Sequence, residues 1–419
     1  MKRYLRATFA SLGGRNYRLY FFGQSMSQIG TWTQKITQAW LVLELTDSGT
    51  LLGITLALQA LPTLLFTAWG GLLADRLDKR RLLLCTQAAS IAPATALGIL
   101  TATGTATLWI VFVMAVIIGI IEALDKPARQ TFIAEVVPRE TLTNALTLNN
   151  ITINSGKLIG PAIAGVLITG VGMAASFFVN AASFCVVLLA LFLVRTDQLH
   201  QVTRIDRSKG QLREGLIYVV NQPRLLGPLL LLTVTGLIAW EWTVTLPLYA
   251  REVLHGDAQV VSALFIAMGA GAIIGVLAIA GILQATPGRL ILASLIFAAL
   301  LFAISLVPTL IPALILLFLL GAAGVAYRVI TTSMAQLEAD PIMRGRTMAL
   351  FVIAIGGTSP VSAPLLGWLC EVLGVTATLM IGAVGCAVMS VAIWVYMRSR
   401  PKTAASPPHA ASEVIDSAT

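Results

Sequence analysis

Charge is what this chain has least of. Only 11% of its 419 residues are charged, against 57% hydrophobic, and the mean hydropathy is +0.86. A soluble domain cannot keep that balance in water, so the composition specifies a polytopic α-helical membrane protein. Histidine is nearly missing: His200, His255 and His409 fall in loops or the tail, which excludes a histidine proton relay inside the membrane. Cys85, Cys185, Cys370 and Cys386 fit neither a disulfide framework nor a metal cluster and read as small buried apolar residues. The chain has no His-Glu-x-x-His, no Gly-x-Ser-x-Gly and no phosphate-cradling loop with its lysine, so nothing points to an enzyme or an ATP-driven pump. No metal or cofactor is expected. The net charge of +9 is not gathered on an aromatic-rich polar face, which argues against nucleic acid and for attraction to anionic lipid heads.

Stretches of about 20 apolar residues mark twelve spans, near 19–43, 51–73, 82–103, 107–124, 145–169, 173–194, 225–249, 259–283, 290–307, 310–330, 347–370 and 374–397. With both termini cytoplasmic, every Lys and Arg except Lys35, Lys157 and Arg251 falls on the cytoplasmic side or at a helix end there, the asymmetry that orients membrane proteins. Met1-Lys2-Arg3 is not followed by a short apolar core and cleavage site, so the first span is expected to stay and act as the insertion signal. The expected division is an amino-terminal six-helix bundle over 1–194, a linker over 195–224, a carboxy-terminal bundle over 225–397 and a disordered tail over 398–419. Within the linker, Leu212, Leu216 and Val219 recur at helical spacing and suggest an amphipathic helix at the membrane surface.

Between the second and third spans lies Gly70-Gly-Leu-Leu-Ala-Asp75-Arg76-Leu-Asp78-Lys79-Arg80-Arg81, a tight charged hairpin between two apolar runs. Gly71 is suited to close helix approach, and Asp75 to bonding the first amides of the next helix. Gly71-x-Leu-Ala-Asp75-Arg76-x-x-Lys79-Arg80 resembles the loop signature of the major facilitator superfamily of secondary transporters, with Asp78 where the family usually has glycine. The resemblance implies that this loop latches the two halves in one conformational state. Arg15-Asn16-Tyr17-Arg18, Gly30-Thr31-Trp32-x-Gln34 and Asp125-x-Pro127-Ala128-Arg129-Gln130 are similar to the bacterial multidrug and enterobactin-exporter branch. Glu122, Asp125 and Arg129 join the latch set, at the expected end of the fourth helix, with Glu122 placed to pair with Lys126 or Arg129. Gly156, Gly160, Pro161 and Gly165 resemble the fifth-helix packing motif of facilitator antiporters.

Several polar residues fall within spans, where facing lipid is costly. Gln24, Ser25, Ser27, Gln28, Thr31, Gln34, Lys35 and Gln38 fill one side of the first helix, which makes it a cavity-lining helix. Asn150, Asn154 and Lys157 mark the fifth. Lys157 is expected to clamp helices, and Arg328 to cap its helix or to pair with Glu338. Glu241, between Trp240 and Trp242, is the deepest acid and the candidate for carrying a proton. A salt bridge between Glu241 and Lys35 is the competing reading. Trp32, Trp240 and Trp242 suit an aromatic cavity wall for amphipathic ligands.

The halves echo one another. Asp47, Gly71 and Lys79 match Asp257, Gly281 and Arg289 at a shift of 210, and Pro138 and Pro161 match Pro341 and Pro364 at 203. Repeated six-helix bundles with a midplane site are what the family resemblance implies. The expected protein is a monomeric exporter in the bacterial inner membrane, moving amphipathic small molecules against protons by alternating access. A lipid or lysophospholipid flippase, and a non-transporting receptor or scaffold on the same fold, are the alternatives.

Overall fold

The computed structural model describes residues 10–200, 211–279 and 285–399. Among them there are helices and no strands, as hydrocarbon requires of chain that must satisfy its own backbone groups. In the first half these are α1 (Arg15–Thr46), α2 (Gly49–Arg76), α3 (Lys79–Ala102), α4 (Leu108–Val136), α5 (Leu142–Gly170) and α6 (Met173–Phe192). A short helix, α7 (Gln211–Val220), leads into α8 (Pro223–Ala239), α9 (Trp242–Leu248) and α10 (Ala258–Ile279). Then follow α11 (Pro287–Ser305), α12 (Leu310–Glu338), α13 (Arg344–Gly356), α14 (Ser359–Leu373) and α15 (Val375–Ser399). Joining α8 to α9 and α13 to α14 as broken spans gives twelve crossings in two six-helix bundles. Eleven spans are long and apolar enough to cross a membrane. The twelfth, α1, is long enough but too rich in Gln, Thr and Lys to qualify on composition, because its polar side faces protein: Gln24, Ser27, Gln34 and Gln38 are all buried.

Two turns explain how the chain re-enters the membrane. Between α2 and α3 only Leu77 and Asp78 are non-helical, and Asp78 caps α3 by accepting from the Arg81 amide at 2.8 Å. The cap is therefore Asp78, not Asp75, which still belongs to α2; a side-chain acceptor at this position supplies the tight start that glycine would give by flexibility. Between α1 and α2, Asp47 takes a left-handed conformation (φ 51°), which a short polar side chain tolerates, and Ser48 caps α2.

Three expectations need correction. The fourth helix does not stop near residue 124 but runs through Pro127 to Val136, and the tenth runs to Glu338. Each therefore carries its charged stretch as helix, where Glu122–Lys126 and Asp125–Arg129 pair at i,i+4. Leu108 and Leu310 open these matching helices 202 residues apart, close to the later repeat shift. Third, of the cysteines only Cys370 and Cys386 are buried; Cys85 and Cys185 are exposed on the bundle's outside, where an apolar thiol has no reason to hide from lipid. Gly281, the repeat counterpart of Gly71, and the tail from 400 onward lie outside the described residues, as do Arg204 to Lys209 of the linker. The linker helix α7 packs on α13 through Glu214 and Arg346, buries Val219 and leaves Leu216 and Ile217 exposed.

Helix approaches are set by glycine. In α4, Gly119 meets the Gln59 carbonyl of α2, and Gly70 of α2 meets the Ala123 carbonyl of α4. In the second half, Gly271 of α10 faces the Phe318 carbonyl of α12 with no space for a Cβ. Gly271→Leu is expected to force these helices apart at a cost of about 1–3 kcal/mol, read as a lowered melting temperature of the detergent-purified protein. An unchanged melting temperature would disprove this packing.

The halves meet at the end carrying the short loops. There α2 packs on α14 through Gly49 against Gly367 and Gly53 against Ala363, and α5 packs on α10 through Gly165 against Ser262. Charges sit on the matching helix poles. Arg251 donates to the Leu43 carbonyl at the end of α1 (2.7 Å) and pairs with Asp47, and Glu371 accepts from Ser48 (2.8 Å) and from the Thr50 amide (3.0 Å) at the start of α2. At the opposite, basic end, ion pairs among the described residues stay on one side of the division: Lys79–Glu135 at 2.5 Å and Arg224–Glu338 at 3.1 Å. Among the described residues the structure is thus closed at the short-loop end and unlatched at the basic end.

Candidate functional site

The seventh span is interrupted at Trp240 and Glu241, and the eleventh at Gly357 and Thr358. The two interruptions lie against each other, since Gly236 has Thr358 where a Cβ would go. Glu241 spans the gap: its Oε2 accepts from the Ser359 hydroxyl at 2.8 Å and the Ser362 hydroxyl at 3.4 Å, both in the first turn of α14. A helix start is where a carboxylate belongs. The sequence carries a signal at each interruption, Glu241 in the seventh span and Gly356-Gly357-Thr358-Ser359-Pro360 in the eleventh, but span length and hydropathy alone run through both.

Glu241 therefore does not pair with Lys35. The Lys35 ammonium lies 3.6 Å from Glu122 of α4 and over the Trp32 ring, 5.4 Å from its centroid. Glu122 also binds Lys126 at 2.5 Å and accepts from Gln59 of α2 at 3.1 Å. One turn on, Asp125 is enclosed by Thr86 (2.8 Å) and Gln87 (2.7 Å) of α3 and Arg129 (2.9 Å). Lys35, Gln59, Gln87, Glu122, Asp125 and Arg129 line one recess of about 100 Å³, with Gln28, Thr31, Trp32, Gln34, Gln38 and Asn180 around it. Gln34 accepts from the Asn180 amide at 2.7 Å. Glu122, Asp125 and Arg129, which the sequence groups with the latch, thus belong to one polar network with the α1 face. Gln59, Thr86, Gln87 and Asn180 are members that sequence reasoning missed; each is a polar residue inside an otherwise apolar span, which was the available signal.

Replacing Glu122 leaves Lys35 and Lys126 without their shared acid. Glu122→Gln is expected to destabilise by about 3 kcal/mol at most, since the carboxylate keeps 18% exposure and water screens part of the loss. Adding Lys35→Met should return part of the melting temperature; a double variant no better than the single one would refute the coupling.

The basic and aromatic residues are arranged differently from expectation. Lys157 clamps nothing: it is exposed on α5, has no acidic partner among the described residues, and lies 5.7 Å from the Trp32 ring centroid. Arg328 neither caps α12 nor meets Glu338, which is taken by Arg224. Helix α12 continues ten residues past it, and its guanidinium stacks 4.3 Å above Trp240. Trp240 also stacks on Phe297 at 5.0 Å, with Trp242 edge-on and Tyr327 beside it. Asn150 and Asn154 are exposed on α5, Asn154 donating to the Asn150 carbonyl at 2.9 Å. Gly156 and Gly160 fit α5 against Gln28 and Trp32 of α1, and Thr33 donates to the Gly160 carbonyl at 3.1 Å, one residue before Pro161.

The charged loop between α2 and α3 is held inside its own half. Lys79 pairs with Glu135 of α4. Arg80 donates to the Leu191 carbonyl (2.8 Å) and the Phe192 carbonyl (3.1 Å), the orphan acceptors at the end of α6. No bond from Asp75 or Arg76 crosses to the second half among the described residues.

Polar recess, paired interruptions and two bundles joined at one end agree with the sequence comparison: the profile described as transmembrane secretion effector matches residues 6–415. The chain belongs to this family of major facilitator transporters. Among relatives, the staphyloferrin A transporter of Staphylococcus aureus (strain NCTC 8325 / PS 47) is 28% identical over 275 residues, 63% of this chain and 67% of that protein. The multidrug efflux pump Tap of Mycolicibacterium fortuitum is 24% identical over 353 residues, 81% and 86% of the two chains. Solved structures share the fold. A peptide transporter of the POT family superposes with a TM-score of 0.74 at 14% identity over 92% of this chain and 95% of its own. A bacterial homologue of the human lysosomal transporter Spinster, inward-facing and unoccupied, gives 0.67 at 14% identity over 93% and 98%.

Proposed function

We propose that this family member is a proton-coupled exporter of amphipathic small molecules, working as a monomer in the bacterial inner membrane with its basic end and both termini in the cytoplasm. The observation that carries the coupling is Glu241, an acid lodged where two interrupted spans touch. Discontinuous helices at the midplane are where secondary transporters place their sites. A proton arriving on Glu241 removes its charge and weakens its hold on Ser359 and Ser362, loosening the seventh span from the eleventh. Because α14 also forms the short-loop seam with α2, this change biases one access state over the other. With the basic end cytoplasmic, the unlatched geometry is inward-facing. Lys79, Arg80 and the Asp75–Arg76 step would then exchange their partners within the first half for partners across the division in the outward-facing state.

Drug or siderophore-like cargo is supported by the relatives, whose names cover a siderophore carrier and drug efflux pumps. The test is counterflow in liposomes containing the full chain, with compounds chosen by their accumulation in cells lacking it. Trans-stimulated movement is expected. Binding without movement would make the protein a receptor or scaffold, and exchange confined to lipid would make it a flippase.

A further inference from the structure

The basic side chains between the bundles narrow the cargo. Resting on the exporter reading, we propose that the site binds an organic anion, a flat apolar body bearing at least two carboxylates or comparable groups, engaged by Lys157 from one half and Arg328 from the other. Among the described residues neither side chain has an acidic partner or a hydrogen-bond acceptor, and the Arg328 Nε is buried with nothing to donate to. A guanidinium N–H without an acceptor is costly, and a carboxylate supplies the missing one in the fork geometry that arginine favours. Each cation is held over an indole face, Lys157 over Trp32 and Arg328 over Trp240. That contact positions it and offsets part of its desolvation without occupying its donors.

The nearby acids are already engaged. Glu122 binds Lys35 and Lys126, Asp125 binds Arg129, and Glu241 accepts from two serines. Lys157 also lies within electrostatic reach of Lys35 and Arg328, so a cationic cargo entering here meets net repulsion. Lys157 is on α5 and Arg328 on α12, in opposite bundles. An anion bonded to both supplies a bridge between the halves that the unlatched end lacks, so cargo binding itself favours closure. Outward movement of an anion and inward movement of a proton both carry positive charge inward, so an inside-negative voltage drives both.

The test is equilibrium binding to the full chain in nanodiscs, using 2,6-naphthalenedicarboxylate, its neutral dimethyl ester and the corresponding bis(trimethylammonium) naphthalene. The dicarboxylate is expected to bind at least tenfold tighter than either analogue. Lys157→Gln and Arg328→Gln should each weaken it tenfold or more while leaving the ester unchanged, and Lys157→Arg and Arg328→Lys, which keep the charge, should recover most of the affinity. Repeating the titration with phosphatidylglycerol in place of phosphatidylcholine separates sources: competition identifies a lipid headgroup as the anion, and its absence a soluble one. Tighter binding of the dication, or dicarboxylate affinity indifferent to both Gln variants, overturns the anion site. Dicarboxylate binding without counterflow would sink the exporter reading alone, whereas dication counterflow insensitive to Lys157 would sink the anion site alone.

Discussion

Glu241→Gln is expected to abolish substrate-driven proton movement in liposomes while leaving substrate binding in place. Gln matches Glu in shape, and its carbonyl oxygen still accepts from the Ser359 hydroxyl, which Glu241 now does at 2.8 Å. The substitution therefore holds the broken spans in the weaker, uncharged contact of protonated Glu241 and removes the titratable proton. With one proton per substrate, a gradient of one pH unit sustains about tenfold accumulation, or roughly 1.4 kcal/mol. The variant should lose that accumulation and retain exchange of substrate down its own gradient. Proton movement unchanged from the native protein would remove Glu241 from the coupling scheme and leave it a fixed tie between α9 and α14.

The second large effect is conformational. Gly53→Leu places a side chain where α2 meets the Ala363 carbonyl of α14, so closing the short-loop end forces a steric clash. Overpacking of this kind costs about 1–3 kcal/mol, and it falls on the closed state alone, since the seam is apart when that end opens. Inverting an equilibrium from 99:1 to 1:99 takes about 5.5 kcal/mol. One substitution should therefore shift the populations visibly, and Gly53→Leu with Gly367→Leu should carry them most of the way. Spin labels at Ala106 and Thr309 report the short-loop end, and labels at Arg139 and Met343 the basic end, in a background without the native cysteines. The first distance should lengthen and the second shorten, with transport lost. Unchanged distances in a folded double variant would rule out this seam as the gate. Arg251 and Glu371 secure the same end, but Asp47 and Glu371 are exposed, so contacts of that kind contribute about 1 kcal/mol or less.

The site was legible in parts, for reasons that follow from single residues. A polar residue in hydrocarbon is informative because lipid penalises it wherever it lies, so Gln34, Lys35 and Glu241 stood out without any coordinates. Their partners did not. The sequence offers Glu241 as a partner for Lys35, yet α1 packs on α5 and α6 in its own bundle and presents Lys35 to Glu122 of α4 instead. A span of minimum length puts Arg328 near a helix end, whereas α12 continues to Glu338 and leaves it over Trp240. Gln59 and Gln87, each a single amide in a long apolar run, gave too weak a signal to connect with acids 63 and 38 residues away.

Amino-acid order by itself determined the class, the number of crossings and the family. Each depends on local quantities, the transfer of apolar residues into lipid and the charges that must stay outside it. Only the tertiary structure decided which acid meets which base, that the seventh and eleventh spans break side by side around Glu241, and which end is closed. Those outcomes depend on helix rotation and bundle placement, which a few close glycine contacts set across hundreds of residues of chain.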